Sequence, residues 1–148
     1  MNLLLDTNVL IDYFARRRPY CDEWGRLLAM RELGDVELWA PSFSLTEAYR
    51  VLRPAVDEAA LQAAFAGSLE FLRVCSVGEG DIKDATARAW PDFCTALVYA
   101  CAAKMRADYI ITRDPDAFSP GGIPALSIPE FFARLEQDYG IVYGEVDL

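Results

Sequence analysis

Histidine is absent from this 148-residue sequence. Its absence removes the commonest general base, the usual nitrogen ligand of zinc, and every Ser-His or Cys-His nucleophile. Any catalysis must therefore rest on carboxylates. Basic residues are also scarce, with 14 Lys and Arg against 23 Asp and Glu and a formal net charge of −9. That balance argues against a protein that grips long nucleic acid by charge alone, and it leaves room for a hard cation in an acidic pocket. The four cysteines, Cys21, Cys75, Cys94 and Cys101, form no C-x-x-C pair and read as small buried hydrophobes in a reducing compartment.

Long apolar runs are missing too. No stretch approaches the roughly 20 residues needed to span a bilayer, and Leu3 to Leu5 falls far short of the roughly 7 to 15 apolar residues of a signal peptide. A cytoplasmic protein with no membrane segment is expected. No Gly-rich turn follows the first apolar run, which argues against dinucleotide binding. At this length one domain over residues 1–148 suffices, with no internal repeat, low-complexity segment or linker.

What is present is an alternation of short apolar runs and amphipathic stretches. Asn2 to Leu5 reads as a buried strand and Val9 to Ala15 as a helix. Cys21 to Leu33 reads as a second helix, with Trp24, Leu27, Leu28 and Met30 at helical spacing. Val36 to Ala40 reads as a strand, Phe43 to Leu52 and Asp57 to Gly67 as helices, and Phe71 to Val77 as a strand. A helix over Asp81 to Ala89 precedes a long one that Pro91 would open and Arg106 would close. Tyr109 to Thr112 and Ala125 to Ile128 complete the strands, and Pro129 to Glu136 forms the last helix. The segment from Tyr139 onward, with Glu145 and Asp147, reads as an edge strand or a partner-contacting arm. Strands alternating with helices imply right-handed βαβ units, so the expected class is α/β, a three-layer α/β/α sandwich around a parallel sheet of about four or five strands.

Four acids stand at ends of these elements, where a parallel sheet gathers function. Asp6 ends the first strand, with Asn8 two residues on; its plain alternative is an Asx turn or helix cap. Glu47 lies in Ser44-Leu-Thr-Glu47, which also has the spacing of a capping box. Asp92 follows Pro91 where a helix dipole favours any acid, and Asp114 closes a strand at a Pro-marked turn. Each signal alone is weak. A carboxylate cluster is nevertheless relieved of its mutual repulsion by binding a hard divalent cation. Arg16, Arg17 and Arg18, with Arg50, Arg53 and Arg113, could contact phosphates, or could simply be solvated cationic positions.

Leu5-Asp-Thr-Asn-Val-Leu-Ile-Asp12, Leu45-Thr-Glu-Ala-Tyr49, Trp90-Pro-Asp-Phe93 with its Ala-rich helix, and Ala107-Asp-Tyr-Ile-Ile-Thr-Arg-Asp114 together resemble the successive motifs of the PIN-domain family. The resemblance spans nearly the whole chain. It implies a Rossmann-like sheet, an Mg²⁺- or Mn²⁺-dependent ribonuclease acting on RNA, and the toxin of a type II toxin-antitoxin pair with an antitoxin partner. It assigns Asp6, Glu47, Asp92 and Asp114 as the metal-binding, catalytic acids, with Asn8 and Thr112 as neighbours. Thr95 departs from that pattern, standing where the family usually carries a second acid, and Ala117 departs likewise, although Asp116 stands beside it. Losing an acid at Thr95 weakens a metal site.

Two other readings remain, one from Thr95 and the acidic charge and one from the apolar first strand ending in Asp6. One is a weakened or inactive domain acting as a protein-interaction module. The other is a phosphatase of the haloacid dehalogenase type, which Asn8 opposes because that chemistry needs an acid there. Apolar side chains such as Trp24, Trp39, Phe65 and Phe71 are expected in the core, with some surplus for a homodimer face or an antitoxin.

Overall fold

The computed structural model describes residues 1–144. Five parallel strands, β1 (Asn2–Leu5), β2 (Glu37–Pro41), β3 (Leu72–Cys75), β4 (Tyr109–Ile111) and β5 (Ala125–Leu126), form one sheet in the order β3-β2-β1-β4-β5. The helices are α1 (Thr7–Ala15), α2 (Trp24–Glu32), α3 (Ser42–Leu52), α4 (Glu58–Ser68), α5 (Glu79–Arg88), α6 (Phe93–Lys104) and α7 (Ile128–Tyr139). Short 3-10 turns cover Tyr20–Glu23 and Pro115–Phe118. The expected α/β/α sandwich with a parallel sheet is therefore the fold. No helix among the described residues is long and apolar enough to cross a membrane.

The Leu3-Leu4-Leu5 run is continuous because both faces of β1 are covered, and parallel strands buried on two sides lose polar alternation. Leu3 and Leu5 face α1, α2 and α7, in a core with Val9, Leu10, Trp24, Leu27 and Phe131. Leu4 faces the other way, onto Val98, Tyr99, Cys101 and Ala102 of α6 and Phe118. A satellite core joins Ile11 of α1 to Ala48 and Leu52 of α3 and Leu61 of α4. Ala85 of α5 packs on Ala96 and Leu97 of α6.

Several boundaries shift for local reasons. The Cys21–Leu33 stretch divides into the 3-10 turn and α2, while Trp24, Leu27 and Met30 remain fully buried. The long helix begins at Phe93, with Asp92 as its N-cap, so Pro91 lies outside it. The Ser44-x-x-Glu47 spacing is not a capping box: α3 starts at Ser42, and Ser44 is already inside it and buried. After α7 the chain makes no edge strand among the described residues. Tyr143 instead packs on Phe132, and its hydroxyl donates to Asp35 Oδ2 at 2.7 Å. Glu145 and Asp147 lie outside the described residues.

Candidate active site

The strand order reverses direction at β1, because β2 and β3 extend the sheet on one side and β4 and β5 on the other. In open α/β sheets the crevice at such a switch point, beyond the carboxyl ends of the strands, is where ligands collect. Asp6 follows β1 and Thr112 to Asp114 follow β4, so the register itself brings them together. Leu5 pairs with Ile111, and the Asp6 N–H donates to the Ile111 carbonyl at 2.9 Å.

Asp6 is fixed by two donors. As N-cap of α1 it takes the Thr7 N–H on Oδ1 at 2.8 Å, while the Thr112 hydroxyl donates to Oδ2 at 2.8 Å. Thr112 is fully buried, and its oxygen also accepts the Asp114 N–H at 3.1 Å. Burial pushes the Asp6 carboxyl above the usual aspartate range; the Thr112 and Thr7 donors oppose this, and the Asp114 and Asp92 carboxylates add to it. Two other acids of the expected set thus act on Asp6.

Asp92 caps α6, its Oδ2 accepting both the backbone N–H and the hydroxyl of Thr95 at 2.8 Å. Those two hydrogen bonds hold its pKa below the ordinary value. Glu47 stands three residues beyond Ser44 on α3, whose hydroxyl lies 2.7 Å from Thr7 Oγ1 and so ties α3 to the start of α1. Its Oε1 pairs with Arg50 at 3.0 Å. The Cys94 thiol, raised chiefly by burial, is raised further by both Asp92 and Glu47.

The neighbours divide. Asn8 Oδ1 accepts the Arg113 N–H at 3.4 Å, a long contact that still joins α1 to the segment after β4. Asp116 lies exposed in the Pro115–Phe118 turn, where its carbonyl accepts the Ser119 N–H. Arg16, Arg17 and Arg18 gather at the far end of α1 from Asp6: Arg16 is its C-cap, Arg17 lies 3.9 Å from Asp12, and Arg18 pairs with Asp22. Arg53 pairs with Glu58.

Asp12 is the feature that reading the sequence missed. It is 1 % exposed, and Arg113 Nε stands 2.6 Å from its Oδ2. The guanidinium lies 4.4 Å over the Tyr20 ring. Burial raises the Asp12 pKa, with Arg113 and Arg17 opposing. The available signal was an acid four residues after Asn8 in an otherwise apolar helical segment.

The donor set suits a hard divalent cation in kind, being all carboxylate oxygen around a mutually repelling group. Its present spacing is open. Among the described residues no three Asp, Glu or Cys side chains stand close enough to hold one ion together.

Residues 2–116 match the PIN domain family model. Comparison with curated proteins returns no match. Among solved structures the chain is similar to VapBC2 from Rickettsia felis, bound to a DNA fragment from its promoter, at 12% identity and TM-score 0.67, over 86% of this chain and 98% of that one. It is also similar to Mycobacterium tuberculosis VapC20, described as a sarcin-ricin loop cleaving toxin, at 20% identity and TM-score 0.62, over 80% and 95%. A Klebsiella pneumoniae toxin-antitoxin complex matches at 19% identity and TM-score 0.60, over 85% and 97%. At these identities the likeness concerns the fold, whereas the family match covers most of the sequence: the chain belongs to the PIN-domain family.

Proposed function

We propose that this chain is a divalent-metal-dependent endoribonuclease and the toxin of a toxin-antitoxin pair, working as a single domain in the cytoplasm. The observation that carries this reading is the part-buried Asp6 carboxyl at the switch point, held by Thr7 and by the same Thr112 hydroxyl that accepts the Asp114 N–H. Asp6, Asp92 and Asp114, with Glu47, would hold Mg²⁺ or Mn²⁺. Such an ion, when bound, supplies a Lewis acid for the phosphate and lowers the pKa of a coordinated water. Thr7 and Thr112 fix the orientation of the two Asp6 oxygens. A carboxylate there orients water for in-line attack on the scissile phosphodiester.

The antitoxin partner is proposed by analogy with the toxin-antitoxin complexes of similar fold. Exposed apolar side chains such as Val51, Leu69 and Phe93 leave surface for it or for a homodimer.

A second reading rests on Thr95. Its hydroxyl and N–H occupy Asp92 Oδ2, as in a purely structural helix cap, and a neutral residue there leaves fewer charges to hold a cation. Calorimetric titration with Mn²⁺ separates the two readings, since a non-catalytic interaction module takes up no ion at Asp6. The direct test is cleavage of single-stranded RNA by the purified chain in Mn²⁺. Activity should vanish with EDTA and fall about a hundredfold or more in Asp6→Asn. An Asp6→Asn protein that cuts as fast as its parent removes Asp6 from the chemistry.

A further inference from the structure

Thr112 serves two places at once: its hydroxyl donates to Asp6, and it also lines a cavity of about 270 Å³ with Asp12, Tyr20, Glu23, Arg113 and Ser127. Thr112 therefore stands between the cavity and the candidate catalytic acid, one side chain away from it. Its wall is built around Arg113, whose Nε is anchored 2.6 Å from Asp12 Oδ2 and whose guanidinium plane lies over Tyr20. Asp12 Oδ1 accepts a hydrogen bond from Arg113 Nη2 at 3.3 Å, while Oδ2 is paired in charge only. Arg113 is thus held from two sides as a fixed, flat surface.

Flat cations and aromatic rings are the surfaces on which splayed nucleobases stack. The other charged groups on the wall are carboxylates, which when ionised only accept hydrogen bonds. Asp12 is already matched by Arg113 and approached by Arg17 at 3.9 Å, so the cavity does not call for a further cation. Glu23 remains as an acceptor with two oxygens. Guanine presents two adjacent donors, N1–H and N2–H₂, to a carboxylate, whereas adenine and cytosine each set an acceptor beside their amino group and uracil flanks its N–H with carbonyls.

We infer that this cavity seats one guanine of the RNA substrate beside the phosphodiester held at Asp6, with Glu23 reading the donor edge of the base and Arg113, fixed by Asp12 and Tyr20, forming its stacking wall. The inference rests on the nuclease reading for the identity of the substrate, but it can be read without cleavage. Metal-free titration calorimetry with 5′-GMP and 5′-AMP should give about a tenfold preference for GMP, collapsing in Glu23→Gln. Tyr20→Ala should weaken both nucleotides alike, with circular dichroism verifying that each variant is folded.

In parallel, two RNAs differing by one guanine-to-adenine change should be cut at rates whose ratio falls in Glu23→Gln. If no RNA is cut under any condition while GMP selectivity and its loss in Glu23→Gln persist, the nuclease reading fails and the base subsite stands. If RNA is cut but GMP and AMP bind equally, or Glu23→Gln leaves their ratio unchanged, the subsite is overturned. Preferential binding of L-arginine amide over both nucleotides also overturns it, by assigning the cavity to a cationic side chain of a protein partner.

Discussion

The Thr112 hydroxyl donates to Asp6 Oδ2 at 2.8 Å while accepting the Asp114 N–H at 3.1 Å, so one buried oxygen orients the acids that follow β1 and β4. The two residues lie 106 positions apart in sequence, and the β1–β4 register alone brings them together.

Replacing Thr112 with Val keeps the shape and removes both bonds. It should cost about 1 kcal/mol, because a part-buried carboxylate loses a donor and a part-buried N–H loses its acceptor. The Asp6 pKa should rise further, since Thr112 is the largest influence lowering it. Urea unfolding and a carboxyl NMR titration of Asp6 read the two effects. An unmoved Asp6 titration would mean that the hydroxyl does not govern this carboxyl.

Asp6→Asn should stabilise the metal-free protein at neutral pH even as it abolishes activity. The folded pKa of Asp6 lies above its unfolded value. The folded state therefore binds more protons across that interval, and wild-type stability falls as pH rises through it. Below the ordinary aspartate pKa the carboxyl is protonated in both states, and the variant gains nothing there from removing the charge. The advantage should open above that pKa and level off beyond the raised one. Unfolding in EDTA across a pH series checks this, and Mn²⁺ should raise the Tm of the parent but not of Asp6→Asn.

Asp92→Ser separates a cap from a ligand. Serine caps helices about as well as aspartate, so stability should change by no more than about 0.5 kcal/mol. The one pH-dependent loss is the lowered Asp92 pKa, whose contribution is present above the ordinary aspartate pKa and disappears as pH falls through the depressed value. RNA cleavage in Mn²⁺ should nevertheless drop sharply. Full activity in Asp92→Ser would reduce this acid to its structural role.

Arg113→Met leaves Asp12 buried without its closest cation. Breaking such a pair from one side costs about 3–5 kcal/mol when both partners are sealed from water. Arg113 is 34 % exposed and Arg17 stands nearby, so about 2 kcal/mol is the expected loss. Adding Asp12→Asn should recover part of it, because the orphaned charge is then gone. A double mutant less stable than Arg113→Met would show that the ion pair is not what holds this corner.

The sequence carried the fold well because its information was local. Three consecutive leucines could only be a strand covered on both faces, and the strand-helix alternation then dictated a parallel sheet. Asp6 and Asp114 were legible for the same reason, since strand ends define the crevice. Asp92 was placed in the first turn because Pro91 suits that position, yet the aspartate side chain captured the Thr95 N–H and became the cap. Ser44 and Glu47 matched a capping box by spacing, but Ser44 is turned inward to Thr7 across 37 residues, a contact that no local pattern encodes. Asp12 was hidden by its own helix: a charge among Val9, Leu10 and Ile11 is intelligible only once Arg113 and Arg17 are known to reach it.

Because β1 sits at the centre of the sheet, its partners arrive very unevenly as the chain is made. β2 follows within some 40 residues, whereas β4 and the Thr112 hydroxyl come more than 100 residues after Asp6. Contacts of such long separation close late, after the loop entropy between them has been met. Until β4 is in place Asp6 lacks its Thr112 donor. It acquires that donor and its crowding by Asp114 in a single late event. The Thr112 and Asp114 side of this site is therefore completed only when β4 docks beside β1.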